Sequence, residues 1–178
     1  MEKTIKSNVI YKGKIITVYK DDVYVDKNGG INTIREVVHH NGGVVGLVKT
    51  KDNKIKFVSQ FRYPLKKEII ELPAGKIEIG EDPLETIHRE LQEEVGVYAN
   101  KIEFVGKMYV SPGYCDEAIH MYYVDDYSET EKCFDEDEQL NIFEVDINKA
   151  YEMIDNGEII DAKTVCLLMM KKEAILKK

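Results

Sequence analysis

The chain has 178 residues, which suits one domain with a small N-terminal extension. Its 43% hydrophobic and 33% charged content are those of an ordinary globular protein, and no segment approaches the roughly 20 apolar residues of a membrane span. A net charge of −8 argues against a nucleic-acid partner, and it disfavours an anionic small substrate unless a cation lies between substrate and protein.

The N-terminal run and the cysteines predict a cytoplasmic protein. MEKTIKSNVI lacks the apolar core of a signal peptide. Cys115, Cys133 and Cys166 are odd in number, widely spaced and match no metal-binding motif, so we expect reduced thiols. No membrane partner is expected.

The first sixty residues are typical of antiparallel β-structure. VYVDKNGGINTIREVV alternates apolar and polar residues on both sides of Asn28-Gly29, which predicts a hairpin. GGVVGLVKTKDNKIKFVSQFR predicts a second hairpin that turns near Asp52-Asn53.

The acidic stretch GKIEIGEDPLETIHRELQEEVGV predicts a helix with well-marked ends. Asp82 can cap it, Pro83 suits the first helical position, Glu85 completes a capping-box pattern and Gly96 can end it. At about 100° per residue, one apolar stripe forms the expected core face: Leu84, Ile87, Leu91 and Val95.

Two glutamates of this helix project together from the shoulder of the stripe. Glu90 and Glu94 lie about 40° apart by the 3.6-residue period, and Glu93 lies further toward solvent. Neighbouring carboxylates that are partly desolvated repel each other unless a positive group joins them. A divalent cation is the simplest such group, and oxygen-only ligands suit magnesium or manganese better than zinc.

The alternative interpretation is an ordinary solvated helix face, on which Glu85, Arg89 and Glu93 form ion pairs. The preceding segment, Glu71-Leu72-Pro73-Ala74-Gly75, favours the metal interpretation, because it runs from a strand end into a Pro-Gly loop whose backbone carbonyls can reach the same cation.

The remaining elements follow in the second half of the chain. KIEFVGKMYV, AIHMYYV and LNIFEV are predicted strands by their β-branched and aromatic content. DINKAYEMIDNGE and DAKTVCLLMMKKEAILKK are predicted helices, capped by Asp146 and Asp161. Strands outnumber helices without regular βαβ alternation, so we expect an α+β fold with a mixed sheet flanked by helices.

The acidic stretch also matches the Nudix box, G-x5-E-x7-R-E-U-x-E-E-x-G-U, at every fixed position. These positions hold Gly75, Glu81, Arg89, Glu90, Leu91, Glu93, Glu94, Gly96 and Val97. The flanks resemble the ADP-ribose pyrophosphatase branch of that family. The resembling segments are QFR, ELPAG, the run from Arg35 to Val48, the Ser111-Pro112-Gly113 turn and the acidic loop from Asp135 to Glu138.

This resemblance implies an α/β/α Nudix sandwich preceded by an N-terminal antiparallel β-region. It implies Mg²⁺- or Mn²⁺-dependent hydrolysis of the diphosphate of ADP-ribose or a related ADP-sugar, giving AMP and a sugar phosphate, which is ribose 5-phosphate for ADP-ribose. It also implies a homodimer. Residues 1–40 are then the β-region for dimerisation and substrate contacts, and residues 41–178 the catalytic domain.

The resemblance assigns metal ligands. Glu90 and Glu94 match the principal ligands of the family, Glu93 a further ligand, and Ala74 a ligand through its backbone carbonyl. Glu81 and Arg89 match orienting residues, which fix the ligating carboxylates.

It also assigns substrate contacts. Arg62 matches a contact to the substrate's phosphate or ribose, with a surface arginine at a strand end as the alternative. Arg35 and Glu36 match positions at the adenine end, with a cross-strand charge pair as the alternative. Pro112 and Glu117 belong to the turn that follows the box and are counted with the substrate contacts.

One departure concerns the base of the nucleotide. Lys14 and Ile15 stand where some relatives place an aromatic residue that stacks on adenine, so strict adenine preference does not follow from the resemblance.

The group that activates water is expected in the acidic loop, because a carboxylate bound to a cation is weakened as a base. Glu136 aligns with the loop base of the branch, and Glu138 is a helper or metal contact. The alternatives are a plain solvated loop, or a base at Glu138 or Glu117.

Two other functions compete with this one. The first is a Nudix hydrolase of nucleoside triphosphates or other nucleoside diphosphate conjugates. The second is a Nudix-like sensor that binds such a ligand without cleaving it, although here every box carboxylate is present.

Overall fold

The computed structural model describes residues 1–27, 29–131 and 140–176. The strands in these residues are β1 (Glu2–Lys12), β2 (Ile16–Val25), β3 (Ile31–His40), β4 (Gly43–Val48), β5 (Lys54–Arg62), β6 (Lys67–Glu71), β7 (Ala74–Lys76), β8 (Val97–Tyr109), β9 (Ala118–Glu129) and β10 (Leu140–Asp146). The helices are α1 (Pro83–Val95), α2 (Ile147–Asp155) and α3 (Ala162–Leu176). The chain divides into two compact units, 1–42 with 109–118, and 43–108 with 119–178.

The first unit is an antiparallel sheet in the order β1-β2-β3. The predicted hairpin around Asn28-Gly29 is confirmed, since β2 and β3 form ten consecutive pairs, from Val25 with Ile31 to Ile16 with His40. Gly29 and Gly30 have φ values of 92° and 90°, a left-handed conformation that suits glycine in such a turn.

The 109–118 segment joins this unit through β3. Val38 forms a parallel bridge with Cys115. The Val38 N–H donates to the Tyr114 carbonyl at 2.7 Å, and the Val38 carbonyl accepts from the Asp116 N–H at 3.1 Å. The Asp116 carboxylate lies 2.6 Å from Nδ1 of His39 and accepts from the His40 N–H at 2.9 Å. The turn after the box is therefore fastened to the end of β3.

The second unit is a sandwich around two sheets. One is mixed, in the order β7-β4-β9-β8 with β4 and β9 parallel, and the other is antiparallel, in the order β10-β5-β6. Alternate residues of β4 face opposite layers: Val44 and Val48 belong to the apolar cluster of α1, whereas Val45 and Leu47 belong to that of α2 and α3. The predicted α+β class with α/β/α layers is confirmed.

The predicted second hairpin is wrong in its pairing. The chain does reverse near Asp52-Asn53, where Asn53 has a φ of 56°. The two segments that flank this turn are paired by an isolated antiparallel bridge between Lys49 and Ile55, and they form no ladder. Beyond that bridge β4 and β5 enter different sheets. The residues of a turn decide where the chain reverses, but side-chain packing decides which strands pair.

The predicted ends of α1 are confirmed, and one member of its predicted core stripe is wrong. The Asp82 carboxylate accepts from the Leu84 N–H at 2.8 Å, and Gly96 ends the helix with a φ of 63°. Ile87, Leu91 and Val95 are fully buried. The Leu84 side chain is 43% exposed. Helical periodicity gives the direction of a side chain but does not show whether another element lies opposite.

The predicted caps of the two other helices are also confirmed. Asp146 accepts from the Asn148 N–H at 2.8 Å, and Asp161 accepts from the Thr164 N–H at 3.0 Å. Among the described residues, no helix combines the length and apolar character that a membrane span requires.

Candidate functional site

The segment between β6 and α1, which includes β7, meets the C-terminal half of α1 at Ala74 and Gly75. The Ala74 N–H donates to Oε2 of Glu94 at 2.9 Å. A Cβ atom placed on Gly75 would lie 1.8 Å from Cδ and Oε1 of Glu90, so the Glu90 carboxyl group occupies the space that any other side chain would need. Two carboxylates of α1 thus lie against two successive residues of β7.

Arg89 connects the carboxylates of this site. Its Nη1 donates to Glu90 at 2.8 Å and to Glu93 at 3.0 Å. Its Nε and Nη2 donate to the two oxygens of Glu81 at 3.1 and 3.2 Å. One guanidinium therefore compensates part of the negative charge of three carboxylates. Glu94, four residues after Glu90 on α1, adds a fourth carboxylate to this side of the helix.

Glu81 accepts hydrogen bonds from two nitrogen atoms of Arg89. Its carboxylate also accepts from the Glu78 N–H at 3.1 Å. The hydrogen bonds from Arg89 lower the pKa of Glu81 from 4.5 to about 2, although burial acts in the opposite direction. The same hydrogen bonds raise the pKa of Arg89, so both groups stay charged at any physiological pH.

The structure brings together the four residues that the sequence predicts as metal ligands, Ala74, Glu90, Glu93 and Glu94. Within the described residues, no three Asp, Glu, His or Cys side chains are arranged so that they could coordinate one metal ion as they stand. Glu90 and Glu93 accept from Arg89, and Glu94 accepts from the Ala74 N–H. The donors are all oxygen atoms and carry excess negative charge, which fits a hard divalent cation.

Glu94 differs from its sequence prediction in burial. The sequence places it on the shoulder of the helix, where a carboxylate is partly desolvated, but in the structure it is only 4% exposed. A buried carboxylate requires partners, and the Ala74 N–H supplies one of them.

Arg62 lies at the end of β5 and forms a bidentate ion pair with Glu71, at 2.6 and 2.7 Å. Glu71 is only 1% exposed and also pairs with Lys163. Burial alone would raise the pKa of Glu71, but the hydrogen bonds from Arg62 and the charge of Lys163 outweigh it, and the net shift is downward. Sequence reasoning missed Lys163. The available signal was a glutamate within an apolar strand, which needs cationic partners.

The other predicted substrate residues lie in the first unit. Arg35 donates to Glu2 at 2.5 and 3.0 Å, and Glu36 stands opposite Lys20 on β2. Pro112 belongs to the turn after β8, and Glu117 lies 3.5 Å from Nδ1 of His40. The substrate roles of all four stay predictions.

The predicted catalytic residues, Glu136 and Glu138, lie outside the described residues.

Comparison with known proteins assigns this chain to a family. The family model of the NUDIX domain matches residues 39–168. The chain is 40% identical over 178 residues to the ADP-ribose pyrophosphatase of Bacillus subtilis (strain 168), covering 98% of this chain and 95% of the relative. It is 41% identical over 166 residues to the methanol dehydrogenase activator of Bacillus methanolicus, covering 92% and 89%.

The fold is similar to that of a solved structure. The crystal structure of an ADP compounds hydrolase superposes with a TM-score of 0.83 at 19% identity, covering 98% of this chain and 94% of that chain. Taken with the complete box and the carboxylates gathered around Arg89, these matches show that the chain belongs to the Nudix family and is a pyrophosphohydrolase.

Proposed function

We propose that this enzyme hydrolyses the diphosphate of ADP-ribose or a related ADP-sugar, giving AMP and a sugar phosphate, which is ribose 5-phosphate for ADP-ribose. The observation that carries the proposal is the placement of Glu90 and Glu94 against Ala74 and Gly75, with Arg89 between the carboxylates. The similarity to an ADP-ribose pyrophosphatase over nearly the whole chain supports the substrate class.

Nudix hydrolases generally use divalent metals, and for this chain we propose Mg²⁺ or Mn²⁺. Glu90, Glu93, Glu94 and the carbonyl of Ala74 would hold the ion. When bound, it would compensate the clustered carboxylates, polarise a phosphorus atom and orient water.

The protein's own groups position the reactants. Arg89 and Glu81 hold one another and so fix the orientation of the Glu90 and Glu93 carboxylates. Arg62 binds Glu71 through Nε and Nη2, so its Nη1 is the atom we assign to a phosphate or ribose oxygen of the substrate.

Hydrolysis requires a base, which we assign to Glu136. The oxygen of a water molecule bonds to one phosphorus, the bridging P–O bond breaks, and the water proton passes to the carboxylate of Glu136, with Glu138 assisting. Glu136→Gln should lose turnover with substrate binding nearly intact. Full activity in that variant would move the base to Glu138 or Glu117, and Glu138→Gln is the paired comparison.

We further propose a homodimer in which β1–β3 contribute Arg35 and Glu36 to the partner's site, with Pro112 and Glu117 also contacting substrate. The support is the lack of a core in the first unit: of its described residues, only Val23 and Gly42 are buried. A three-stranded sheet needs an apolar face covered by another element, and a second copy of the chain would supply it. We place the enzyme in the cytoplasm, since Cys115 and Cys166 are free thiols.

The first experiment is a substrate panel with the purified protein. It should compare ADP-ribose, other ADP-sugars, a GDP-sugar, NADH, diadenosine polyphosphates and nucleoside triphosphates, each with Mg²⁺, with Mn²⁺ and with a chelator. We expect AMP release from ADP-ribose only when metal is present. If triphosphates are cleaved faster than every diphosphate conjugate, the proposed substrate class is wrong.

A second candidate function follows from the relative that is named a methanol dehydrogenase activator. The activation of such a dehydrogenase can be assayed with wild type and with Glu94→Gln. Activation that survives in the variant would favour a binding role, whereas its loss together with hydrolysis would make the hydrolysis the cause.

A further inference from the structure

A closed circuit of hydrogen bonds and ion pairs joins the first turn of α3 to the end of β6. The Leu72 N–H donates to Oγ1 of Thr164 at 2.9 Å, and that hydroxyl donates to Asp161 at 2.7 Å. Asp161 pairs with Lys163 at 3.0 Å, and Lys163 pairs with Glu71. Since Glu71 and Leu72 are adjacent in sequence, the circuit returns to its starting point.

This circuit holds the loop that leads to the candidate metal site. Glu71 is held through its side chain and Leu72 through its backbone. The next residue, Pro73, accepts through its carbonyl from the Gly46 N–H at 2.9 Å, and Ala74 follows with its bond to Glu94. Successive residues are thus fixed from α3, from β4 and from α1.

Helix capping alone does not account for the arrangement. Asp161 caps α3 by accepting from the Thr164 N–H, and a cap needs neither Lys163 nor the Thr164 hydroxyl. Thr164 is nevertheless fully buried, and Lys163 is mostly buried against Glu71. Burying a lysine costs free energy unless its ion pair has good geometry. The Lys163–Glu71 pair therefore also fixes the position of Glu71, from which the loop to the candidate site begins.

We infer that Lys163 and Thr164 are positioning residues, which set the Leu72–Gly75 segment so that the Ala74 carbonyl and the Glu90 and Glu94 carboxylates can bind a divalent cation together. This inference rests on the proposed metal dependence. Neither residue is among the proposed metal ligands or substrate contacts, and both act through the Leu72–Gly75 segment.

The test measures Mn²⁺ binding to the whole protein without substrate, by titration calorimetry and by the electron paramagnetic resonance signal of free Mn²⁺. Lys163→Met and Thr164→Val should weaken Mn²⁺ binding by about 10-fold, the scale for groups that orient metal ligands. Lys163→Arg and Thr164→Ser keep the charge and the hydroxyl, and should restore affinity to within about 3-fold of wild type. Lys172→Met is the matched control on α3, since Lys172 lies over the Tyr151 ring.

Thermal unfolding of each variant without metal separates positioning from general destabilisation. Metal affinity unchanged in both Lys163→Met and Thr164→Val would overturn the inference, as would an equal loss in Lys172→Met. If Thr164→Val does not fold, Lys163→Met and its arginine rescue decide the question. If wild type binds Mn²⁺ but releases no AMP from ADP-ribose, the proposed substrate is wrong. The roles of Lys163 and Thr164 in metal binding can still be measured in that case.

Discussion

Glu90 and Glu94 are residues of the same type about one helical turn apart on α1, yet their carboxylates have different partners. Glu94 is buried and fixed by the Ala74 N–H, whereas Glu90 rests against Gly75 and accepts from Arg89. Glu85, on the same helix, is exposed. The position of each residue relative to the loop, and not its type, separates the candidate ligands from surface glutamates.

This difference predicts the outcome of removing single charges. Glu90→Gln and Glu94→Gln keep the size of the side chain but remove the charge that attracts a cation, so turnover should fall by orders of magnitude while the fold is retained. Glu85→Gln should be nearly silent. Steady-state kinetics with circular dichroism on the three variants checks this, and equal losses at all three positions would contradict the two-ligand geometry.

The Glu81–Arg89 pair predicts a pH dependence of stability. The pKa of Glu81 is lowered from 4.5 to about 2 in the folded protein, so the stabilisation is fully present above about pH 4.5 and is lost as the pH falls toward 2. Urea denaturation of wild type and Glu81→Gln should show a difference in unfolding free energy at pH 7 that shrinks between pH 5 and pH 3. Glu85→Gln is the control, and a difference independent of pH would refute the assignment.

At the scale of elements, the site depends on how closely α1 lies over β4. A Cβ atom on Gly46 would be 2.9 Å from Cδ2 of Leu91 and 3.1 Å from Cδ1 of Ile87, both of which are fully buried. The absent side chain at Gly46 lets the helix lie close to the sheet. The same glycine donates its N–H to Pro73, so it also fixes the loop.

Gly46→Ala should therefore destabilise the protein by about 1–3 kcal/mol, the usual cost of overpacking a core. Urea denaturation at pH 7 measures it, with Gly113→Ala as control because a Cβ atom there meets nothing within 4 Å. Activity should fall as well, since the helix and the loop carry the carboxylates and the Ala74 carbonyl. An unchanged midpoint would mean that the helix is not seated as closely as described.

At the scale of the whole molecule, the first unit is a three-stranded sheet with many exposed apolar side chains. On β1 the exposed apolar residues are Ile5, Val9, Ile10 and Tyr11. Exposed apolar residues gathered on one small sheet favour an interface over a solvated surface.

We expect light scattering at micromolar concentration to give about twice the 20.5 kDa mass of one chain. Ile10→Glu should shift the protein toward the monomer, because it places a charge in the interface, and Ser7→Glu on the same exposed strand is the control. A monomeric wild type would remove any cross-subunit role for Arg35 and Glu36.

The sequence by itself determined the features that depend on neighbours within a few residues. Asp82, Pro83 and Gly96 set the ends of α1, Asp146 and Asp161 cap the later helices, and the spacing of the box identified the family. Caps and turns are local hydrogen bonds and backbone conformations, so their signals lie in consecutive residues.

Only the tertiary structure decided which surfaces meet. It exposed Leu84, buried Glu94, sent β4 and β5 into different sheets, and joined Lys163 to Glu71 across 92 positions. Such contacts arise where elements distant in sequence pack together, and their free energy depends on shape and charge on both sides of the contact. A periodic pattern describes only one side, which is why the sequence predicted α1, the Pro-Gly segment and the cap of α3, but not the contacts of Lys163 and Thr164 that join α3 to that segment.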